Sequence, residues 1–481
     1  MAEKKKRRSI STFAILLAVL LLVSIVTWIA SGQTYTDVET GETAQVVGAS
    51  LSDILMAPIG GWHDAREVIG FIFCLGAFLS ILNATGALET GVQVLVKKLH
   101  GKELVLIWIL MFLFSIGGTT FGMGEETVGF YILLATTMMA AGFDPVVGAA
   151  TVLLGAGTGV LGSTINPFAT GAAVAGAGVP LNMGIVYVEA IILWLVTYVI
   201  SALFVTRYAK QVKEGKGSIL TSEQMAECKE AYGTSAQVNH NVRLTGRQKA
   251  VLVVFALTFV IMIMGLIPWE DLAEPVFNAL GWSAFLTGNP FGWWWFDDAA
   301  TWFLLMGIVI GIIGLDDKSK MVPCVVSGFA DMISVNLVVA LARATTVIMA
   351  STGFGAWLVE ASVTALSASG LPAPIFGALD YLLHIGLSFL VPSSSGLASL
   401  SAPIVSPIVE GMGWSVETSI MINVAANGFV NLFTPTCGFI MGGLALARVP
   451  WETWVKWSAK LLAIIAVSVG VILTVAMLIL S

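Results

Sequence analysis

Residues 117–127 read Gly117, Gly118, Thr119, Thr120, Phe121, Gly122, Met123, Gly124, Glu125, Glu126, Thr127, and they lie between two apolar runs, 103–117 and 128–141. Adjacent carboxylates inside an apolar region are costly unless they are protonated, paired or hydrated. The stretch therefore marks either a functional point or a helix end that uses a carboxylate to cap its free amides. Each flanking run is too short to cross a bilayer core, which takes about 20 residues. The glycine-rich stretch reads as the turn of a re-entrant hairpin, 103–141. The composition around it agrees: of 481 residues, 57% are hydrophobic and 11% charged, against about 25% charged in soluble domains. A water-facing surface cannot be built from so few charges, which excludes a soluble globular protein and predicts an all-α polytopic membrane protein. Its 50 glycines suit close helix packing and broken helices. Cys74, Cys228, Cys324 and Cys437 are scattered, so neither a disulfide framework nor a zinc site is expected. Nothing supports a nucleic-acid partner.

Further apolar runs occupy 10–30, 67–86, 144–178, 184–206, 250–268, 298–315, 321–350, 416–446 and 455–480. A second short pair, 371–391 and 396–410, is joined by a serine-rich turn and reads as a second hairpin, 371–410. The expectation is nine transmembrane helices plus two re-entrant hairpins. With that parity, and with Lys4 to Arg8 placing the N-terminus in the cytoplasm, every Lys and Arg except Arg66 and Arg343 falls on the cytoplasmic side, as the positive-inside rule asks. The outer loop from Trp269 to Phe296 lacks Lys and Arg and ends in Trp293, Trp294 and Trp295, an interfacial belt. The chain divides into 1–66, a first helix and outer loop; 67–208, a first repeat with its broken helix at 144–178; 209–249, a cytoplasmic connector; 250–297, a connecting helix and outer loop; and 298–481, a second repeat with its broken helix at 416–446.

A shift of 271 residues superposes Gly142 on Gly413, Gly157 on Gly428 and Gly171 on Gly442. Feature order repeats as well: a run ending near Thr85 and Gly86 or Thr352 and Gly353, an amphipathic segment to Lys98 or Ser369, a hairpin, then a broken helix. By the span count the two copies enter the membrane from opposite sides, an inverted repeat of the kind secondary transporters use, with the site where discontinuous helices meet.

Four polar irregularities carry the candidate site. The first turn supplies Thr119, Thr120, Glu125 and Glu126; consecutive residues point about 100° apart on a helix, so one Glu is expected to cap and the other to face a ligand. The break at Gly162–Gly171 supplies Ser163, Thr164 and Asn166 beside Pro167, which frees backbone carbonyls; hydroxyls that merely satisfy a kink are the plainer alternative. The turn at Pro392 supplies Ser393, Ser394 and Ser395 at the start of a helical arm, where hydroxyls and amides together suit a carboxylate. The break at 427–437 supplies Asn427, Asn431, Thr434 and Thr436. Ser163, Asn166 and Thr434 are the oxygen ligands for a candidate cation site. Asp380 and His384 lie four apart on one helical face and read as an internally satisfied pair, with a proton relay as the alternative. Asp331 and Arg343 lie twelve apart and cannot pair on a regular helix; each is expected to neutralise a group on another helix, or Arg343 to reach the interface.

At Gly118–Tyr131, Gly162–Gly171, Val391–Pro403 and Asn431–Gly443, the sequence resembles the C4-dicarboxylate anaerobic carrier family, more closely its basic amino-acid antiporter (YfcC-type) branch within the ion transporter superfamily. The resemblance implies a multi-pass bacterial inner-membrane (plasma-membrane) transporter, a homodimer with a scaffold and a moving transport part, and an elevator-like motion. Sodium-coupled relatives carry Ser, Asn, Thr triplets at these breaks, whereas this chain has Ser163, Thr164, Ile165, Asn166 and Thr434, Pro435, Thr436, Cys437. Proton and sodium coupling both stay open, and no cofactor is expected.

The four breaks contain Glu125 and Glu126 and no Lys or Arg, which favours a cationic solute. Arginine/ornithine-type exchange is the expected function. A C4-dicarboxylate exchanger or uptake carrier is the alternative, and an ion channel the alternative from another class. With four histidines in no ligand spacing and no nucleophile matched to a base, an enzyme is not expected.

Overall fold

The computed structural model describes residues 12–37, 40–91, 94, 102–232, 243–267 and 269–481. The cluster Lys4 to Arg8 and the end of the amphipathic segment at Lys98 lie outside these. Apart from one two-stranded antiparallel ribbon, β1 (Thr34–Thr36) and β2 (Thr43–Gln45), the described chain is built from helices. They are α1 (Thr12–Ile29), α2 (Leu51–Asp64), α3 (Arg66–Ala84), α4 (Glu103–Phe121), α5 (Val128–Ala140), α6 (Pro145–Leu161), α7 (Ala172–Ala177), α8 (Met183–Lys213) and α9 (Ser222–Tyr232). After the connector come α10 (Gly246–Leu266), α11 (Phe296–Gly314), α12 (Met321–Ser351), α13 (Phe354–Ser367), α14 (Ala373–Leu390), α15 (Ser394–Gly411), α16 (Val416–Val430), α17 (Gly438–Leu446) and α18 (Trp451–Leu480), with two short helices, Trp269–Leu272 and Glu274–Leu280, between α10 and α11.

Among the described residues, eight helices are long and apolar enough to span a bilayer: α3, α4, α8, α10, α11, α12 with its leading turn, α14 and α18. This set differs from the expected one in an instructive way. The first arms of the two hairpins, expected to be too short, reach 19 residues in α4 and 18 in α14. Gly117 to Thr120 stay helical, with the Thr120 hydroxyl donating back to the Ile116 carbonyl at 2.6 Å, and the turn begins only at Gly122, whose φ of 77° is left-handed. In contrast, α6 and α16, the first halves of the broken helices, have 17 and 15 residues.

The segment expected as an outer loop also carries more structure than its polarity suggested. Its second part is α2, which meets α3 through a tight break at Ala65, and both helices run along α12. Gly76 of α3 faces Gly328 of α12 so closely that a Cβ on Gly328 would stand 2.3 Å from the Gly76 carbonyl. Small residues at such a crossing let two backbones approach, which replaces the hydrophobic drive that lipid does not supply.

The two hairpin arms do not fold mainly onto each other. Both α4 and α5 pack on α6, and both α14 and α15 pack on α16. The contacts between the two halves are reciprocal: α7, beyond the first break, lies on α15, while α17, beyond the second, lies on α5. At the crossing of α6 and α16, a Cβ on Gly157 would meet Leu432 at 2.4 Å and one on Gly428 would meet Leu161 at 2.4 Å. Leu161 and Leu432 are themselves related by the 271-residue shift, so the two contacts exchange with each other, as residues do across a local two-fold.

Candidate functional site

All four polar breaks contribute to one cavity. Its walls include Gly122, Glu125 and Glu126 of the first turn, Phe168 of the first break, Pro392 to Ser395 of the second turn, and Asn431, Thr436 and Cys437 of the second break. Three long helices close it with Val68 of α3, Phe296 of α11 and Arg343 of α12. Its cavity volume is about 100 Å³.

The first turn is built by hydroxyls. Gly122 closes α4 with its amide on the Gly118 carbonyl at 3.1 Å, an αL closure, and the Met123 amide reaches the Gly117 carbonyl at 3.3 Å. Thr119 donates to the Gly162 carbonyl at 2.6 Å, and Thr164 donates both its amide (2.8 Å) and its hydroxyl (2.9 Å) to the Thr119 carbonyl. A Cβ on Gly122 would lie 2.6 Å from Asn166 Oδ1, so only glycine fits both the backbone angle and the gap. Beyond it, Glu126 is 3% exposed and its Oε2 accepts from the Gly124 amide at 3.1 Å. Glu125 makes no hydrogen bond or ion pair among the described residues and lines the cavity. One carboxylate is thus tied to the turn and its neighbour is available.

In the first break, Asn166 Nδ2 donates to Ser163 Oγ at 2.8 Å, Ser163 donates to the Val160 carbonyl at 2.6 Å, and Thr170 donates to the Ser163 carbonyl at 2.7 Å. These groups satisfy the unwound backbone. Thr119, Thr120, Ser163, Thr164 and Asn166 are absent from the cavity wall. In the second break Thr434 bonds Thr436 at 2.7 Å; Thr436 lines the cavity and Thr434 does not. Ser163 and Asn166 bond each other in one break while Thr434 is used in the other, so the expected cation ligands are each engaged locally. Among the described residues no group of three or more His, Cys, Asp or Glu is placed to hold a metal ion.

The second turn is held from α16. Ser393 caps α15, accepting from the Gly396 amide at 3.2 Å. Ser394 donates to Asn427 Oδ1 at 2.8 Å, and Asn431 Nδ2 donates to the Pro392 carbonyl and to Asn427 Oδ1, both at 2.9 Å. Asn427 returns two weaker bonds to the carbonyls of Val391 (3.3 Å) and Pro392 (3.4 Å). Asn427 itself does not line the cavity, whereas Asn431 does, and its Oδ1 is buried without a partner. An unpaired acceptor in a buried wall is costly and asks for a donor from a bound molecule.

Arg343 meets the expectation that it neutralises a group on another helix: with a side chain 27% exposed, its Nη1 lies 3.7 Å from Asp64 Oδ2 at the end of α2. Its place in the cavity wall is what sequence reasoning missed. The signal was present: Arg343 and Arg66 are the two cations that the cytoplasmic set leaves over, and a cation inside an apolar segment marks function by default. Asp331 is exposed on α12. Asp380 and His384 lie outside the cavity wall, fully buried and 2.9 Å apart.

A family model described as "C4-dicarboxylate anaerobic carrier" (DcuC) matches residues 10–478. An uncharacterized protein of Haemophilus influenzae is 29% identical over 427 residues, covering 88% of this chain and 78% of its own. A putative basic amino acid antiporter of Escherichia coli, YfcC, is 27% identical over 425 residues, covering 85% and 77%. Among solved structures, the YdaH transporter of Alcanivorax borkumensis aligns over 97% of this chain and 98% of its own with a TM-score of 0.46 and 17% identity. With a family model matched along almost its entire length, the chain belongs to the C4-dicarboxylate anaerobic carrier family of membrane transporters.

Proposed function

We propose that the protein is a secondary active transporter that exchanges cationic amino acids of the arginine/ornithine type by alternating access. The observation that carries this reading is the pairing of opposite chemistries in one cavity: Glu125 on one wall, and Arg343 with Ser393 to Ser395 on others. An amino acid presents a carboxylate and an ammonium together, and a cationic one adds a further positive group. The solute carboxylate would meet Arg343 and the serine turn; its cationic side chain would meet Glu125 and the free Oδ1 of Asn431. A charge pair at 4 Å and an effective dielectric of 20 is worth about 4 kcal/mol, enough to set specificity. The YfcC relative, whose printed description is a putative basic amino acid antiporter, is consistent with this.

A C4-dicarboxylate is the second reading, favoured by Arg343, a cation that the four breaks alone did not offer. It leaves Glu125 opposed to a second negative charge, which ranks it behind. The reciprocal contacts of α6 with α16, α7 with α15 and α17 with α5 support an inverted repeat in which the two halves rock or slide around the cavity. An elevator-like motion, a homodimer, a cytoplasmic N-terminus and residence in a bacterial inner membrane complete the proposal. Reconstituted protein preloaded with ornithine should take up labelled arginine by counterflow. Uptake of succinate against preloaded fumarate, with none of arginine, would reverse the ranking.

A further inference from the structure

Among the buried ionisable groups that the solute site leaves unused, two lie one turn apart on α14. Asp380 is 0% exposed, and the one polar side chain within ion-pair distance of its carboxylate, among the described residues, is His384. His384, also 0% exposed, lies one turn on: its Nδ1 is 3.0 Å from the Asp380 carbonyl and 2.9 Å from Oδ1, and its Nε2 is 3.0 Å from Ser401 Oγ. Ser401 in turn accepts from Asn423 Nδ2. We propose that Asp380 and His384 form a proton-binding site that couples proton movement to the transport cycle; the coupling rests on the transporter reading above.

The physical case starts from charge. The ionisable groups on the elements packed around α14 are Tyr381 on α14 itself, Glu360 on α13, Glu410 on α15, Glu417 on α16, and Glu452, Lys456 and Lys460 on α18. None makes a hydrogen bond or ion pair with Asp380 or His384; Glu360 is bonded to the Thr36 amide at 2.6 Å and Glu417 to the Asn182 amide at 2.8 Å. With a neutral imidazole, Nδ1 carries its hydrogen toward the Asp380 backbone and side chain, and the Ser401 hydroxyl donates to Nε2. The pair then bears the full charge of a carboxylate in a dry site, a state that burial strongly disfavours. One added proton, on the carboxylate or on the imidazole, brings the net charge from −1 to zero. A proton bound here would cancel the buried charge, and water reaching α14 in another state of the cycle would let it leave. The order Ser401, His384, Asp380 matches the donor sequence of a hydrolytic triad, but Ser401 is 1% exposed and does not line the cavity. What this line can exchange is a proton.

The connection to the solute runs through α16. Asn423, Asn427 and Asn431 are spaced four apart and share one face of the helix. Asn427 and Asn431 hold the serine turn, while Asn423 holds Ser401, which sits on the same arm, α15, as Ser394 and Ser395. A change of charge at Asp380 and His384 therefore acts on the arm that carries the cavity hydroxyls.

Two readouts test the site. In purified protein, infrared difference spectra taken between acid and alkaline pH should contain either a carboxylic-acid carbonyl band that disappears in D380N, where the proton sits on Asp380, or imidazolium bands that disappear in H384Q, where it sits on His384. In vesicles loaded with a pH-sensitive dye, the protons moved per labelled arginine taken up should be lost in both variants. If neither variant loses its band, or if both variants move as many protons per solute as the parent protein, the site is not the proton carrier. A parent protein that moves arginine without protons overturns the coupling as well. If the parent carries neither arginine nor succinate, the transport reading fails while the infrared result still decides whether the pair holds a proton. Should D380N fail to fold, the proton count in H384Q decides.

Discussion

The two turns that meet in the cavity occupy matching places in the two halves, yet they differ in almost every chemical respect. The first ends α4 on a left-handed glycine and sets Glu125 and Glu126 on a short turn. The second passes through Pro392 into a capped helix and sets three serines against the cavity. Their supports differ too: threonine hydroxyls and backbone hold the first, and the side-chain amides of Asn427 and Asn431 hold the second. The shared backbone plan brings the turns together; the divergent side chains make one wall acidic and the other hydroxylic. A site that must grip two unlike ends of one solute is served by such asymmetry, where identical turns would grip both ends alike.

The largest expected effect comes from removing the asymmetry at the acidic turn. Glu125→Gln keeps the shape and deletes the free carboxylate, so kcat/KM for a cationic amino acid should fall about 100-fold, from a loss of roughly 3 kcal/mol. Glu126→Gln should act on stability instead, because Glu126 is buried and bonded to the turn; a lower melting temperature with transport per folded protein within a few-fold is the expected result. Equal transport loss in both variants would merge the two roles and break the contrast drawn here. Counterflow kinetics and thermal melts in the same detergent preparation measure both.

Much of this arrangement was legible in the sequence, for reasons that can be named. Composition and run lengths announce helices in lipid, since a buried backbone in a bilayer has few other solutions. Glycines at 86, 142, 353 and 413 marked matching turns, and all four have left-handed φ. The polar breaks stood out because oxygen-rich residues are rare among apolar runs. What stayed hidden is the choice each polar group makes between backbone and cavity. Thr119, Ser163, Thr164 and Asn166 look as ligand-like as Asn431 on paper, but they spend their bonds on the unwound chain, and only three-dimensional closeness decides that. Arg343 was hidden by the opposite cause: it lies in a regular helix, far in sequence from every break, and enters the cavity because α12 passes alongside them. Helix α2 was masked by its charges, Asp53 and Asp64, which cap and end it.

The symmetric contact between the halves offers a second, smaller test. Gly157 and Gly428 lie 271 residues apart, but a Cβ on Gly157 meets the tip of the Leu432 side chain, whereas one on Gly428 meets the Leu161 backbone, 2.4 Å from its Cα. A leucine tip can turn aside and a helix backbone cannot. Gly428→Ala should therefore cost about 1–3 kcal/mol, as overpacking does, and Gly157→Ala well under that, read as the difference between their melting temperatures. If the two cost the same, the crossing is looser than the packing of α6 on α16 indicates.

The smallest effect sharpens the hydroxylic side. Ser395 lines the cavity and, unlike Ser393 and Ser394, has no role in capping α15 or in holding Asn427. Its hydroxyl is free to meet solute, so Ser395→Ala removes one neutral hydrogen bond, worth about 0.5–1.5 kcal/mol, and should raise KM by about 2- to 10-fold. Ser394→Ala removes a bond that positions the turn and leaves Asn427 Oδ1 with one donor fewer, so its loss should show in stability as well as in KM. The pair of variants thus separates a group that touches the solute from one that positions the wall. An unchanged KM in Ser395→Ala, with ordinary stability, would move the solute's carboxylate off the serine turn and leave Arg343 as its main partner.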